Sequence, residues 1–133
     1  MSDNFTPILR ALVAATLLLA CMAVMLVTVT RAYAAGALAI GPCGAFGVAY
    51  DFATPAQASR SALARCKGDG CRVVATVRRS CASLAIDFKN ACGAHGWGKA
   101  QKLGRAENVA LRACYKDGGA ECVIRTFFCD AKG

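Results

Sequence analysis

Cysteine is the residue that could do most chemistry in this chain. Nine occur in 133 residues, against a single histidine, His95. Thiolates can hold a metal, exchange electrons or close covalent staples, and spacing separates these uses. Two stretches are alike: ALARCKGDGC at 62–71 and LRACYKDGGAEC at 111–122. Each runs from a helix-like segment through a Gly-rich turn to a second cysteine. A structural zinc site wants cysteine pairs roughly two to four residues apart, converging in fours. Only Cys66 and Cys71 come near that spacing, so no metal site is expected. A redox centre wants an accessible, acidified thiol, often in C-x-x-C, and that motif is absent. Staples are the expected role. The KGDG turn can bring the Cα atoms of Cys66 and Cys71 within the roughly 4.4–6.8 Å that a disulfide requires. The YKDGGAE loop repeats that geometry for Cys114 and Cys122. Cys81 and Cys129 end equivalent strands, and a bridge there would tie the two halves of the chain together.

The remaining polar residues argue against catalysis. His95 stands in CGAHGWG, but its counterpart in CGAFG is Phe46. A position that accepts Phe is expected to pack or to flank a turn rather than to shuttle protons. Asp51, Asp69, Asp87, Asp117 and Asp130 fall at turns or strand ends, where Asp commonly bonds its own backbone. No carboxylate pair shares a predicted face, and a hydroxyl nucleophile would need a base where only one histidine exists. Gly-rich phosphate loops are absent, and no cofactor is expected. Trp97, Phe46, Tyr50 and Tyr115 could form an exposed platform for a glycan, but core packing is the favoured expectation.

These residues sit on a repeated frame. ALAIGPCGAFGVAY (37–50), TPAQASRSALARC (54–66) and CRVVATVRRSC (71–81) are echoed by SLAIDFKNACGAHGWG (83–98), GRAENVALRAC (104–114) and CVIRTFFC (122–129). Such self-similarity reads as internal duplication, with halves 37–81 and 83–129. In the first half, residues 37–41 and 45–50 form a hairpin-like pair broken at Gly41-Pro42. Thr54, with Pro55 next and Gln57 three residues on, reads as a helix start. Ala58, Ala62, Leu63 and Cys66 mark one helical face, Gly68 and Gly70 stop the helix, and 72–77 is a β-branched strand. The second half starts its helix more weakly, at Gly104 with Glu107. Its face is Ala106, Ala110, Leu111 and Cys114, and its closing strand is 123–128. Two β-β-α-β units predict an α+β domain, one antiparallel sheet covered by two helices. Ala-rich faces bury little area, so a domain of this size needs cross-links.

Residues 11–30, ALVAATLLLACMAVMLVTVT, carry no charge between Arg10 and Arg31, and AYA at 32–34 supplies the small residues a signal peptidase wants. Residues 1–34 are therefore expected to be a signal peptide cut before Ala35, leaving 35–133 as the disulfide-bonded domain. An uncleaved single transmembrane helix is the main rival, since the run is long for a signal peptide and can span a bilayer of roughly 30 Å. Lipidation at Cys21, after LLA, is the minor one. Eight of the nine cysteines follow position 35, a density that suits an oxidising compartment. Beyond Arg31 there are 14 Lys and Arg (16 less Arg10 and Arg31) against 7 Asp and Glu (8 less Asp3), a net of +7. That balance favours anionic neighbours. Yet the cations, Arg72, Arg78, Arg79 and Lys99 among them, form no run longer than two, which reads as a solvated basic surface.

In the order of its motifs, GALAIG, A···ALARC, CRVVATV, CASLAI, GWG, A···ALRAC and VIRTFFC, the chain resembles the exported bacterial family catalogued as domain of unknown function 4189, over nearly all of residues 36–130. The resemblance implies a small exported protein with a signal peptide and a duplicated, disulfide-bonded α+β domain. It implies bridges Cys66–Cys71, Cys114–Cys122 and Cys81–Cys129. It brings no catalytic residues. Cys43 and Cys92 depart from the family pattern. They occupy equivalent positions in the two halves, and a fourth bridge between them is expected. The function that fits is a periplasmic or secreted, non-enzymatic interaction module that binds an envelope component or a protein partner. The alternatives are an accessory subunit of a membrane complex, anchored through 11–30 with its domain outside the cytoplasm, and an envelope enzyme. Nucleic acid is not expected as a partner.

Overall fold

The computed structural model describes residues 5–28 and 34–130. They belong to two compact units divided between residues 32 and 33. The first unit holds one helix, α1 (Phe5–Thr28). It takes up the apolar run expected at 11–30 except for its last two residues, which lie outside the described ones, as do residues 31–33 just before the expected cut. Among the described residues no helix is long and apolar enough to cross a membrane. Cys21 makes no disulfide.

The second unit runs β1 (Ala35–Ile40), β2 (Phe46–Phe52), α2 (Pro55–Arg65), β3 (Arg72–Val77), β4 (Ser80–Asp87), β5 (His95–Ala100), α3 (Leu103–Lys116) and β6 (Cys122–Asp130). All strand pairs are antiparallel. They do not form the one sheet expected from the sequence. Two three-stranded sheets occur instead, in the orders β2-β1-β3 and β5-β4-β6.

The central strands give the physical reason. β1 and β4 are buried along their whole length, and side chains alternate between the faces of a strand. Leu38 and Ile40 of β1 therefore share one face, and Ala37 and Ala39 the other. The bulky faces meet. Leu38, Ile40, Ala75 and Val77 of the first sheet form one core with Ala82, Leu84, Ile86 and Phe128 of the second. The alanine faces take the helices: Ala37, Ala39 and Ala49 pack with Ala58 and Ala62 of α2, and Ala85 with Ala110 and Cys114 of α3. The domain is thus four layers deep, helix, sheet, sheet, helix. A single sheet with both helices on its alanine face would leave the Leu/Ile face without a cover.

Close helix-to-sheet approach demands glycine. A Cβ on Gly96 of β5 would collide with the backbone of Ala110 and Cys114, and one on Gly98 with the carbonyl of Ala106. α2 begins as expected: the Gln57 N–H donates to Thr54 Oγ1 over 3.2 Å, with Pro55 in the first turn. Leu63, expected on its buried face, is 38 % exposed. The space over the sheet is so thin that Ala58, Ala62 and Cys66 fill it. α3 starts at Leu103 rather than Gly104, with no side-chain cap from Lys102.

Four disulfides cross-link the domain: Cys66–Cys71, Cys114–Cys122, Cys81–Cys129 and Cys43–Cys92. Two close the corners from α2 to β3 and from α3 to β6. Cys81 and Cys129 are register partners in β4 and β6. Cys43 and Cys92 join the turns that follow β1 and β4, and Cys43 adopts a left-handed backbone, φ 53°.

Candidate functional site

Because the two sheets share one strand order, register identifies corresponding positions. Ile40 pairs with Phe46 as Ile86 pairs with His95, and Leu38 pairs with Val48 as Leu84 pairs with Trp97. On the β2 side, Phe46 and Val48 pack against the shared core. Arg125 of β6 lies over the Phe46 ring, its Cζ 5.6 Å from the centroid, a cation–π contact that bridges the two sheets. That edge is closed. On the β5 side the same positions hold a histidine and a tryptophan, both exposed, and Trp97 keeps 40 % of its surface in water.

The edge between β3 and β5 is therefore a cleft. Lys99 spans it, donating from Nζ to the Thr76 carbonyl of β3 over 2.6 Å. Trp97 divides it into two lobes. One, of about 700 Å³, lies against the turn from β3 to β4 and is lined by Arg78, Arg79, Ser80, Trp97, Lys99 and Gln101 among others. The other, of about 480 Å³, holds Arg72, His95, Trp97, Lys116 and Asp117. A third cavity, of about 150 Å³, reaches from His95 along Ile40, Leu84 and Ile86 to the Cys43–Cys92 bridge. Arg72 reaches this edge because it pairs with Ile40 past an irregularity in the β1–β3 register, which turns its side chain to the inter-sheet face.

His95 has one polar neighbour of note. Asp117, just past α3, accepts a hydrogen bond from the His95 backbone N–H at 3.1 Å, and its Oδ2 stands 3.8 Å from the ring Nδ1. That carboxylate could orient an imidazole. However, none of the side chains lining the shared lobe carries a hydroxyl or thiol, so the pair has no adjacent nucleophile to activate. Among the described residues no group of three or more His, Cys, Asp or Glu could hold a metal ion.

Asp87 does structural work at the far end of β4. Its Oδ1 accepts from the Lys89 N–H at 3.0 Å and its Oδ2 from the Ala120 N–H at 3.1 Å. The backbone bond from Ala120 is the main reason, and that from Lys89 the next, that this carboxyl is held below its ordinary value. It clamps the turn after β4 to the loop before β6.

The sequence left the cations scattered and placed the aromatics in the core. The structure corrects both readings. Arg72, Arg78, Arg79, Lys99 and Lys116 gather along one edge, and Trp97, Tyr50 and Tyr115 are all exposed while Phe46 is partly buried. One signal in the sequence pointed there. Where the first half has the apolar FGV, the second has HGW, so the two halves differ at the positions that close or open a sheet edge.

Fold and cleft together define a disulfide-stapled α+β domain with one basic, aromatic edge open to solvent. The model for a domain of unknown function, DUF4189, matches residues 35–129, and the chain belongs to that family. Comparison with the curated proteins and with the solved structures finds no match.

Proposed function

We propose that this domain is an exported, non-enzymatic binding module that holds an anionic component of the cell envelope in the β3–β5 cleft. The observation that carries this reading is the convergence of five cations around one exposed tryptophan, at an edge that the corresponding strands of the other sheet seal with Phe46 and Val48. Cations drawn together from β3, the β3–β4 turn, β5 and α3 attract anions from solution, and a half-exposed aromatic ring adds a flat contact surface. Four disulfides in a domain of this size support an oxidising compartment. The common β-β-α-β order and register of the halves support a duplication in which one copy kept a closed edge and the other became the site.

The test is retention of the purified, oxidised chain on isolated envelope fractions at rising salt. Retention should fall steeply with ionic strength, and Trp97→Ala and Arg72→Glu should each weaken it about fivefold or more with the melting temperature kept. Retention that ignores salt and both substitutions would sink the reading. A tethered version, an accessory subunit held at the membrane, is favoured by the absence of charge in 11–30. Intact mass of the chain recovered from its host separates the two: a product lacking residues 1–34 is the free module.

A further inference from the structure

We infer that the lobe at the β3–β4 turn is a sugar-phosphate site, with the phosphoryl group on Arg78, Lys99 and Ser80 and the sugar ring on Trp97. This names the ligand class of the proposed binding cleft and rests on that reading.

The strongest observation is Ser80. Its side chain is buried, at 7 % exposure, and lines the lobe, yet its Oγ has no hydrogen-bond partner. A buried hydroxyl left unpaired has given up its hydrogen bonds to water without replacement, and a ligand oxygen entering the lobe would satisfy it. β4 sends Ser80 to the same inter-sheet face as Ala82, Leu84 and Ile86, so the hydroxyl belongs to the cleft and not to the helix side. Lys99 projects on that face too, since it pairs with Ala82. Its ammonium has three donors, and one serves the Thr76 carbonyl. Arg78 is exposed beside them.

Charge and shape narrow the ligand further. The lobe carries Arg78, Arg79 and Lys99. Even against the buried carboxylate of Asp130, which is paired with Ser80 across β4 and β6, two positive charges remain. A phosphomonoester brings a charge of about −1.5 to −2 and three acceptor oxygens, which matches three separated donors better than a planar carboxylate does. The turn itself is specialised. Arg79 has a left-handed backbone, φ 50°, a conformation that bulky side chains rarely adopt. Beside the cations the wall changes character: the exposed face of Trp97 stands with Val109 and the backbone of Gly98, and Gln101 is at the margin. An apolar plate edged by one amide suits the C–H face of a pyranose and its hydroxyls. At about 700 Å³ the lobe falls in the range of small-molecule sites.

Trp97 is the sole tryptophan of the chain and borders both lobes, so its emission reports the cleft, and the variants at Arg78 and Ser80, which line only this lobe, assign the response. The purified, oxidised chain is titrated with N-acetylglucosamine 1-phosphate and, separately, with N-acetylglucosamine, inorganic phosphate, adenosine monophosphate and phosphatidylglycerol vesicles. The sugar phosphate is expected to give a saturable change with affinity at least about tenfold above every other probe: N-acetylglucosamine lacks the charge-assisted hydrogen bonds, one of which is worth about that factor, and inorganic phosphate lacks the ring that lies on Trp97. Arg78→Ala should weaken it about tenfold, and Ser80→Ala by a smaller factor, with unchanged melting temperatures. Lys99→Arg, which keeps the charge, should bind where Lys99→Met does not. Three results overturn the inference: no saturable response, a sugar phosphate no tighter than inorganic phosphate, or tighter binding of the nucleotide or the vesicles. Continued salt-sensitive retention on envelope fractions alongside any of these would leave the wider proposal standing with a different anion in the cleft.

Discussion

Cys43 and Cys92 are bonded to each other across the ends of the two sheets, and both are exposed to solvent. In each of the other three bridges at least one cysteine is buried: Cys66, Cys81, and both Cys114 and Cys122. A reductant thiolate must reach a sulfur to exchange with it. Graded reduction followed by alkylation and mass analysis should therefore label Cys43 and Cys92 first. The bridge closes a sequence separation of 49, worth about 4 kcal/mol by chain entropy, whereas the separation of 5 at Cys66–Cys71 is worth about 2. Cys43→Ala with Cys92→Ala should cost more stability than Cys66→Ala with Cys71→Ala. Prior labelling of Cys114 or Cys122 would contradict this order.

Two glycines separate packing from propensity. Gly96 lies beneath α3, where a Cβ would press on the backbone of Ala110 and Cys114, while a Cβ on Gly104 within α3 would meet nothing within 4 Å. The obstacle at Gly96 is backbone, which cannot rotate away. Gly96→Ala should destabilise by about 3 kcal/mol. Gly104→Ala should stabilise by about 0.5 kcal/mol, because alanine loses less backbone freedom on entering a helix. Urea melts of the two variants measure both. Equal effects would mean that α3 does not rest on β5 as described.

Local chemistry made much of this domain legible before its structure. Thr54 and Gln57 announced the start of α2, the Gly-rich corners placed two cysteine pairs, and the matching order of the halves gave six strands and two covering helices. What was misread depends on contacts far apart in sequence. Whether LAI at 38–40 and at 84–86 lies in one sheet or two is decided by what covers its bulky face. The clue was present: A-L-A-I sets small residues on one side and large ones on the other, and a helix packed through alanines cannot cover both. Trp97 was assigned to the core because its composition suits a core. Its exposure follows from its place on an edge strand, beside β3 of the other sheet, which no local pattern encodes. The cations of the cleft come from β3, the β3–β4 turn, β5 and α3, so they look dispersed until the sheets are stacked.

Asp87 sets the response to acid at the end of the domain opposite the β3–β4 turn. Its carboxylate accepts from the backbone of Ala120 and Lys89, and these bonds hold its proton affinity below the ordinary value of 3.8. The folded state thus binds this proton less readily than the unfolded state does. The resulting stability is fully present above the unfolded value and is lost as the pH falls toward the folded one. Lys89 and Glu121, which pair with each other on the same two loops, are exposed and contribute little. Asp87→Asn should therefore be less stable than the parent chain at pH 7, with the gap narrowing in urea melts below about pH 4. A gap that stays constant from pH 7 to pH 3 would show that the clamp acts through shape and not through its charge.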